Sequence, residues 1–83
     1  MPRSESDPRD PLTVAFGRRL RGVREHRGLS RDALATVSGL SHRALDYIEL
    51  GHRKPTLSTI VALADALGVT PGSLVDGLLP DDG

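Results

Sequence analysis

The chain has 83 residues, with 11 Lys+Arg against 11 Asp+Glu for a formal net charge of zero, and it contains no cysteine. That length holds one small domain with a modest core, for which a compact helical bundle is the economical solution; a separate sensor or catalytic domain has no room. Without cysteine there is no disulfide framework and no thiolate metal site, and the N-terminal MPRSESDPRDP lacks the apolar run of a signal peptide. Apolar stretches such as Ile60 to Ala64 fall far short of the roughly 20 residues that cross a bilayer. A cytoplasmic protein without membrane contact is the expectation.

Residues 1 to 11, rich in proline and small charged side chains, have little to bury and read as a disordered N-terminal arm. A first helix is expected from Leu12 to Arg27, with Phe16, Leu20 and Val23 as its inward stripe and Gly28 as its end. Gly17 and Gly22 weaken that helix by up to about 1 kcal/mol each relative to alanine, so docking rather than propensity must hold it. Ser30 and Ser41 stand where a hydroxyl accepts from the free N–H groups of a first helical turn, each before a periodic apolar segment. Gly39 and Gly51 can close those two segments in the left-handed conformation. Leu34, Val37, Leu40, Leu45 and Ile48 place apolar groups on the inner faces, and Ala35 provides a small side chain where two backbones approach closely. The outer face of the second segment stays polar, carrying His42, Arg43, Asp46 and Tyr47.

Beyond the loop His52-Arg53-Lys54-Pro55, Thr56 is placed to cap a fourth helix whose apolar spacing runs through Leu57, Ile60, Val61, Ala64 and Leu67 to Gly68. Thr70 followed by Pro71 opens a short fifth helix bearing Leu74, Val75, Leu78 and Leu79, and Pro80 stops it. The pattern predicts an all-α, five-helix bundle over residues 12 to 79, with 80 to 83 as a short tail. No repeat, strand pattern or low-complexity tract interrupts it.

Two short capped helices around one tight turn form a helix-turn-helix signature, and Leu34, Ala35, Gly39, Leu40, Leu45 and Ile48 fall at the spacing of the lambda-repressor-like (Xre/Cro) helix-turn-helix family. Upstream, Leu20-Arg21-Gly22-Val23-Arg24 resembles that family's first helix. Downstream, Ile48-Glu49-Leu50-Gly51 with Pro55 resembles its I-E-x-G and loop-proline signature, and Leu63 to Val69 its fourth helix. The resemblance covers roughly residues 13 to 79 and implies double-stranded DNA as the partner, with the helix that follows Ser41 in the major groove.

Zero net charge conceals a segregation that suits such a partner. Nine of the cations (Arg18, Arg19, Arg21, Arg24, Arg27, Arg31, Arg43, Arg53, Lys54) lie between Leu12 and Leu57 against Glu25, Asp32, Asp46 and Glu49, a local excess of five positive charges balanced by the flanks. The bland alternative is that Arg18 to Arg27 merely solvate the first helix.

By resemblance, base-edge contact falls to His42, Arg43 and Ala44, with Asp46 and Tyr47 one turn on. Arg43 is the sharpest candidate, because a guanidinium matches guanine O6 and N7 with two parallel hydrogen bonds. His42 fits a base, a phosphate or plain solvent, and Tyr47 fits a phosphate or the edge of the core. Phosphate contact is expected from Ser30 and Arg31, where a cation meets a helix N-terminus, from Ser41, and from His52, Arg53 and Lys54 on the following loop. The family usually carries glutamine at the place of Arg31, which removes any network that amide would make. Arg24 and Glu49 match a partly buried ion pair of the family, a structural role.

Catalysis has little support: the histidines at 26, 42 and 52 lack close ligand spacing and the serines are better explained as caps. No cofactor is expected. The leading reading is a transcriptional regulator of bacterial origin, acting as a homodimer on a palindromic operator, with a regulatory protein as a possible further partner; phage-type repressor, restriction-modification controller and antitoxin all remain open. The rival reading is a protein-interaction module, an antitoxin or docking adaptor that uses the apolar fifth helix through Leu74, Leu78 and Leu79.

Overall fold

In the computed structural model, residues 10–78 are described, and they form five helices and no strand: α1 (Pro11–His26), α2 (Arg31–Ser38), α3 (His42–Glu49), α4 (Leu57–Leu67) and α5 (Pro71–Val75). The expected arm at residues 1 to 9, Leu79 and the tail at 80 to 83 lie outside the described residues. Asp10 and Pro11, assigned by composition to the arm, instead start α1. The Asp10 carboxylate accepts from the Thr13 backbone N–H at 2.8 Å and from the Thr13 hydroxyl at 2.9 Å, with Pro11 in the first turn, where a missing N–H costs nothing. The same logic starts the other helices. Ser30, Ser41, Thr56 and Thr70 each accept from the backbone N–H three residues on. At the far ends, Gly39 and Gly68 close α2 and α4 at φ +82° and +72°.

Each helix then buries one face. Phe16 and Leu20 of α1, Leu34 and Ala35 of α2, Leu45 and Ile48 of α3, Leu63, Ala64 and Leu67 of α4, and Leu74 of α5 make one contiguous core. Three positions that the spacing places inward are outside it: Val37 is 64% exposed, Leu57 77% and Val61 48%. Burial in α2 is centred between Leu34 and Ala35, and at 100° per residue Val37 stands roughly 110° away from that line. In α4 burial is centred on Leu63, Ala64 and Leu67, which leaves Val61 a comparable angle outside, while Leu57 occupies the solvated first turn. The fifth helix is only five residues long; Leu74 is wholly buried and Leu78 follows the helix rather than extending it. Leu74 is therefore core, not the docking residue that the rival reading requires.

A close approach of α1 to α3 helps to set the pose of α3. Gly17 of α1 lies against the C-terminal turn of α3, and a Cβ added there would sit 2.6 Å from the Glu49 carbonyl oxygen and press on that of Ile48. Only hydrogen fits. Gly22, five residues on, faces open space. Gly17→Ala should destabilise by about 1–3 kcal/mol through enforced separation of α1 and α3, while Gly22→Ala should stabilise by up to about 1 kcal/mol through helix propensity. Thermal denaturation of the two variants beside the wild type checks the opposite signs.

The N-cap of α1 also makes stability depend on pH. Hydrogen bonds from the Thr13 backbone N–H, then from its hydroxyl, hold the Asp10 carboxyl below its ordinary value of 3.8, helped by Lys54. Because the folded value is the lower one, this contribution is complete above the ordinary value and disappears as pH falls through the folded value. The melting-temperature gap between wild type and Asp10→Ala should be full at neutral pH and close on acidification below about pH 4. A gap that persists unchanged in acid would refute the assignment.

Candidate nucleic-acid interface

The interface begins with a helix that has two unlike faces. On its inner side α3 buries Leu45 and Ile48, and on its outer side it exposes His42, Arg43 and Tyr47, with Asp46 half-buried. Ser41 caps it, its Oγ accepting from Ala44 N at 3.0 Å. One expected base contact is corrected here. Ala44 is 7% exposed and turns into the core, because it shares the apolar face with Leu45 and Ile48; it is withdrawn from the reading surface. The remaining outer residues form a continuous polar strip, and α2 braces the helix from behind across the turn Gly39-Leu40-Ser41.

The back of α3 is fixed by one ion pair. Arg24 Nε donates to Glu49 Oε2 at 2.7 Å and Nη2 donates to Oε1 at 3.2 Å, with the two side chains only 9% and 4% exposed. A third donor, Nη1, reaches the Leu29 carbonyl at 2.9 Å. One guanidinium therefore ties together the C-terminal part of α1, the entry to α2 and the end of α3. Its hydrogen bonds to Glu49 raise the Arg24 pKa further above its ordinary value.

The other sequence-derived candidates divide by what they touch. Arg43 and Arg53 are exposed and make no side-chain hydrogen bond or ion pair among the described residues, which leaves their guanidinium donors available to an incoming partner. His52 is exposed, its backbone N donating to the Tyr47 carbonyl at 2.9 Å. Lys54 pairs with Asp10 at 3.5 Å on a side chain 79% exposed, a contact weak enough to be exchanged. The Ser30 and Ser41 oxygens accept the cap bonds of α2 and α3, and each hydroxyl hydrogen is still a donor.

Two contacts join the front of α2 to the front of α3, and the sequence did not disclose either. Arg31 Nη1 lies 3.2 Å from Asp46 Oδ1, and His42 Nδ1 lies 3.3 Å from Asp32 Oδ1. Both pairs are solvent-exposed and both connect residues on the same surface. Asp32 was not among the candidates. Its place in the first turn of α2 carries a helix-dipole explanation that needs no partner, so no sequence signal separates the two roles. Of the α1 cations, Arg21 pairs with Glu25 on its own helix at 3.2 Å and Arg19 Nη1 donates to the Ser73 carbonyl at 2.8 Å. Those two serve the bundle.

Comparison with known proteins identifies the family and the fold. A family profile described as "Helix-turn-helix domain" matches residues 15–78. The chain is 40% identical over 57 residues to an uncharacterised HTH-type transcriptional regulator of Mycobacterium tuberculosis, covering 69% of this chain and 22% of that protein. It is 40% identical over 53 residues to an uncharacterised HTH-type transcriptional regulator of Sinorhizobium fredii, covering 64% and 69%. Among solved structures, the restriction-modification controller protein C.AhdI of Aeromonas hydrophila superposes with a TM-score of 0.73 at 42% identity, over 75% of this chain and 94% of that one. The chain belongs to the lambda-repressor-like (Xre/Cro) helix-turn-helix family, whose members are DNA-binding transcriptional regulators and not enzymes. It spans about a fifth of the length of the mycobacterial relative.

The ion pair behind α3 has a testable energetic role. Glu49→Ala would leave the Arg24 charge buried without its partner, and should cost about 3–5 kcal/mol of stability. At about 4–8 °C per kcal/mol for a domain of this size, the melting temperature should fall by well over 10 °C. Calorimetry of the variant checks it, and an unaltered melting temperature would show the pair to be dispensable.

Proposed function

We propose that this protein is a sequence-specific transcriptional regulator that lays the outer face of α3 in the major groove of an operator and binds as a homodimer. The supporting observation is the two-faced α3. Its back is immobilised by Leu45, Ile48 and the Arg24–Glu49 pair, while its front presents His42, Arg43, Asp46 and Tyr47 beside the exposed cations of the following loop. A rigid polar helix of this width fits the major groove, whereas a flexible one would lose its register on ordering.

In this reading Arg43, near the N-terminus of α3, takes a guanine through O6 and N7. His42 and Tyr47 flank it on base edge or phosphate. Ser30, Arg31, Ser41, His52, Arg53 and Lys54 grip the backbone, where positive charge supplies affinity without sequence preference. Two copies related by a two-fold axis would read half-sites about 10 base pairs apart, or a multiple of that spacing. Such a regulator works in the bacterial cytoplasm on the nucleoid; no helix among the described residues is long and apolar enough to cross a membrane.

Selection of bound fragments from random duplex DNA tests the reading. The wild type should enrich a two-fold symmetric motif, and its affinity for that motif should fall steeply with salt. Arg43→Ala should lose the preference for one guanine per half-site, about 5- to 150-fold in discrimination, with its melting temperature unchanged. Failure of the wild type to enrich any motif at low ionic strength would overturn the proposal.

A further inference from the structure

Arg31 and Asp46 face each other across the front of the motif, Nη1 to Oδ1 at 3.2 Å, with 51% and 44% of their side chains in solvent. Arg31 is the first residue of α2, and Asp46 lies one turn along α3 from His42 and Arg43, on the strip that the DNA-binding reading turns toward the groove. A carboxylate there only accepts hydrogen bonds, and it sits beside a polyanion. An arginine already neutralised by a carboxylate attracts phosphate less than a free one. The neighbouring carboxylate, Asp32, has its own contact with His42 at 3.3 Å, so Asp46 is the acid paired with Arg31 among the described residues.

We infer that the Arg31–Asp46 pair is a selectivity gate, in which Asp46 withholds Arg31 from the backbone until a base offers an amino group to the carboxylate. The inference rests on the reading of α3 as the groove helix. In the major groove, cytosine N4 and adenine N6 are donors, whereas guanine O6 and N7 and thymine O4 are acceptors. Opposite an acceptor, Asp46 has nothing to bond but Arg31. The guanidinium stays with its carboxylate, and the pair contributes almost no net charge toward phosphate. Opposite an amino group, Asp46 turns to accept from the base, and that reorientation loosens its single contact with Arg31 and frees guanidinium donors for a phosphate. An exposed pair of this kind is weak enough to exchange in this way. One acidic residue would thereby penalise wrong sequences twice, by repelling acceptor edges and by cancelling a clamp.

The experiment measures wild type, Asp46→Ala and Arg31→Ala on a selected duplex and on a duplex with that one base pair changed, across a range of salt concentrations. For the wild type, the selected motif should carry cytosine or adenine at one defined position per half-site. Asp46→Ala should lose that preference, bind the altered duplex several-fold more tightly than the wild type does, and show a salt slope there steeper by roughly 0.9, the signature of one more neutralised phosphate. Arg31→Ala should weaken binding to the selected duplex and abolish that gain when combined with Asp46→Ala. An Asp46→Ala variant that keeps the wild-type motif, or weakens both duplexes equally, would overturn the gate while leaving α3 as the groove helix. A wild type that enriches no motif would overturn both.

Discussion

The reading face of this domain depends on the buried bidentate contact between Arg24 and Glu49. Every other feature of the front surface is placed relative to α3, and α3 is an eight-residue helix too short to hold itself in water. Its N-terminal end is defined by the Ser41 cap and its middle by Leu45 and Ile48. Its C-terminal end is held by a charge that cannot leave, because separating the pair would strand an ion in a low-dielectric interior. The extra bond from Arg24 to the Leu29 carbonyl carries the same restraint to the start of α2, so the two helices of the motif share one anchor.

Close backbone contact completes that restraint. Gly17 lets α1 come against the carbonyl groups at the end of α3, and that proximity brings Arg24 within reach of Glu49, as both contacts lie on the same side of α1 within two helical turns. Glycine in a helix interior is unfavourable by propensity alone. Here the penalty is offset by a helix–helix distance that no larger residue permits. The domain is built from weak helices made definite by their neighbours, and rigidity is concentrated where α3 must not move.

Charge is arranged by the same division between back and front. The anion that matters most for the fold, Glu49, is enclosed, and the cations available to a polyanion, Arg43 and Arg53, are exposed. Between these extremes lie pairs such as Arg31–Asp46 and Lys54–Asp10, half in solvent and exchangeable. A net charge of zero is thus compatible with a DNA-binding surface: the surface potential depends on which charges are already compensated, and a composition count weighs them all alike.

Read on its own, the sequence determined the five helices and the caps of the last four, because Ser30, Ser41, Thr56 and Thr70 act on backbone groups three residues away and Gly39 and Gly68 on their own φ angles. These are local effects, legible from spacing. It also determined the polar strip of α3, since a 3.6-residue period assigns faces without knowledge of neighbours. Tertiary structure alone decided which way each apolar stripe is centred, leaving Val37 and Val61 in solvent and drawing Ala44 into the core, because the line of burial is set by the angle of the packing partner. It alone decided that Lys54 reaches Asp10 and that Arg31 meets Asp46. Those side chains are 44 and 15 positions apart, and a long flexible arginine or lysine finds its carboxylate only after the helices have docked.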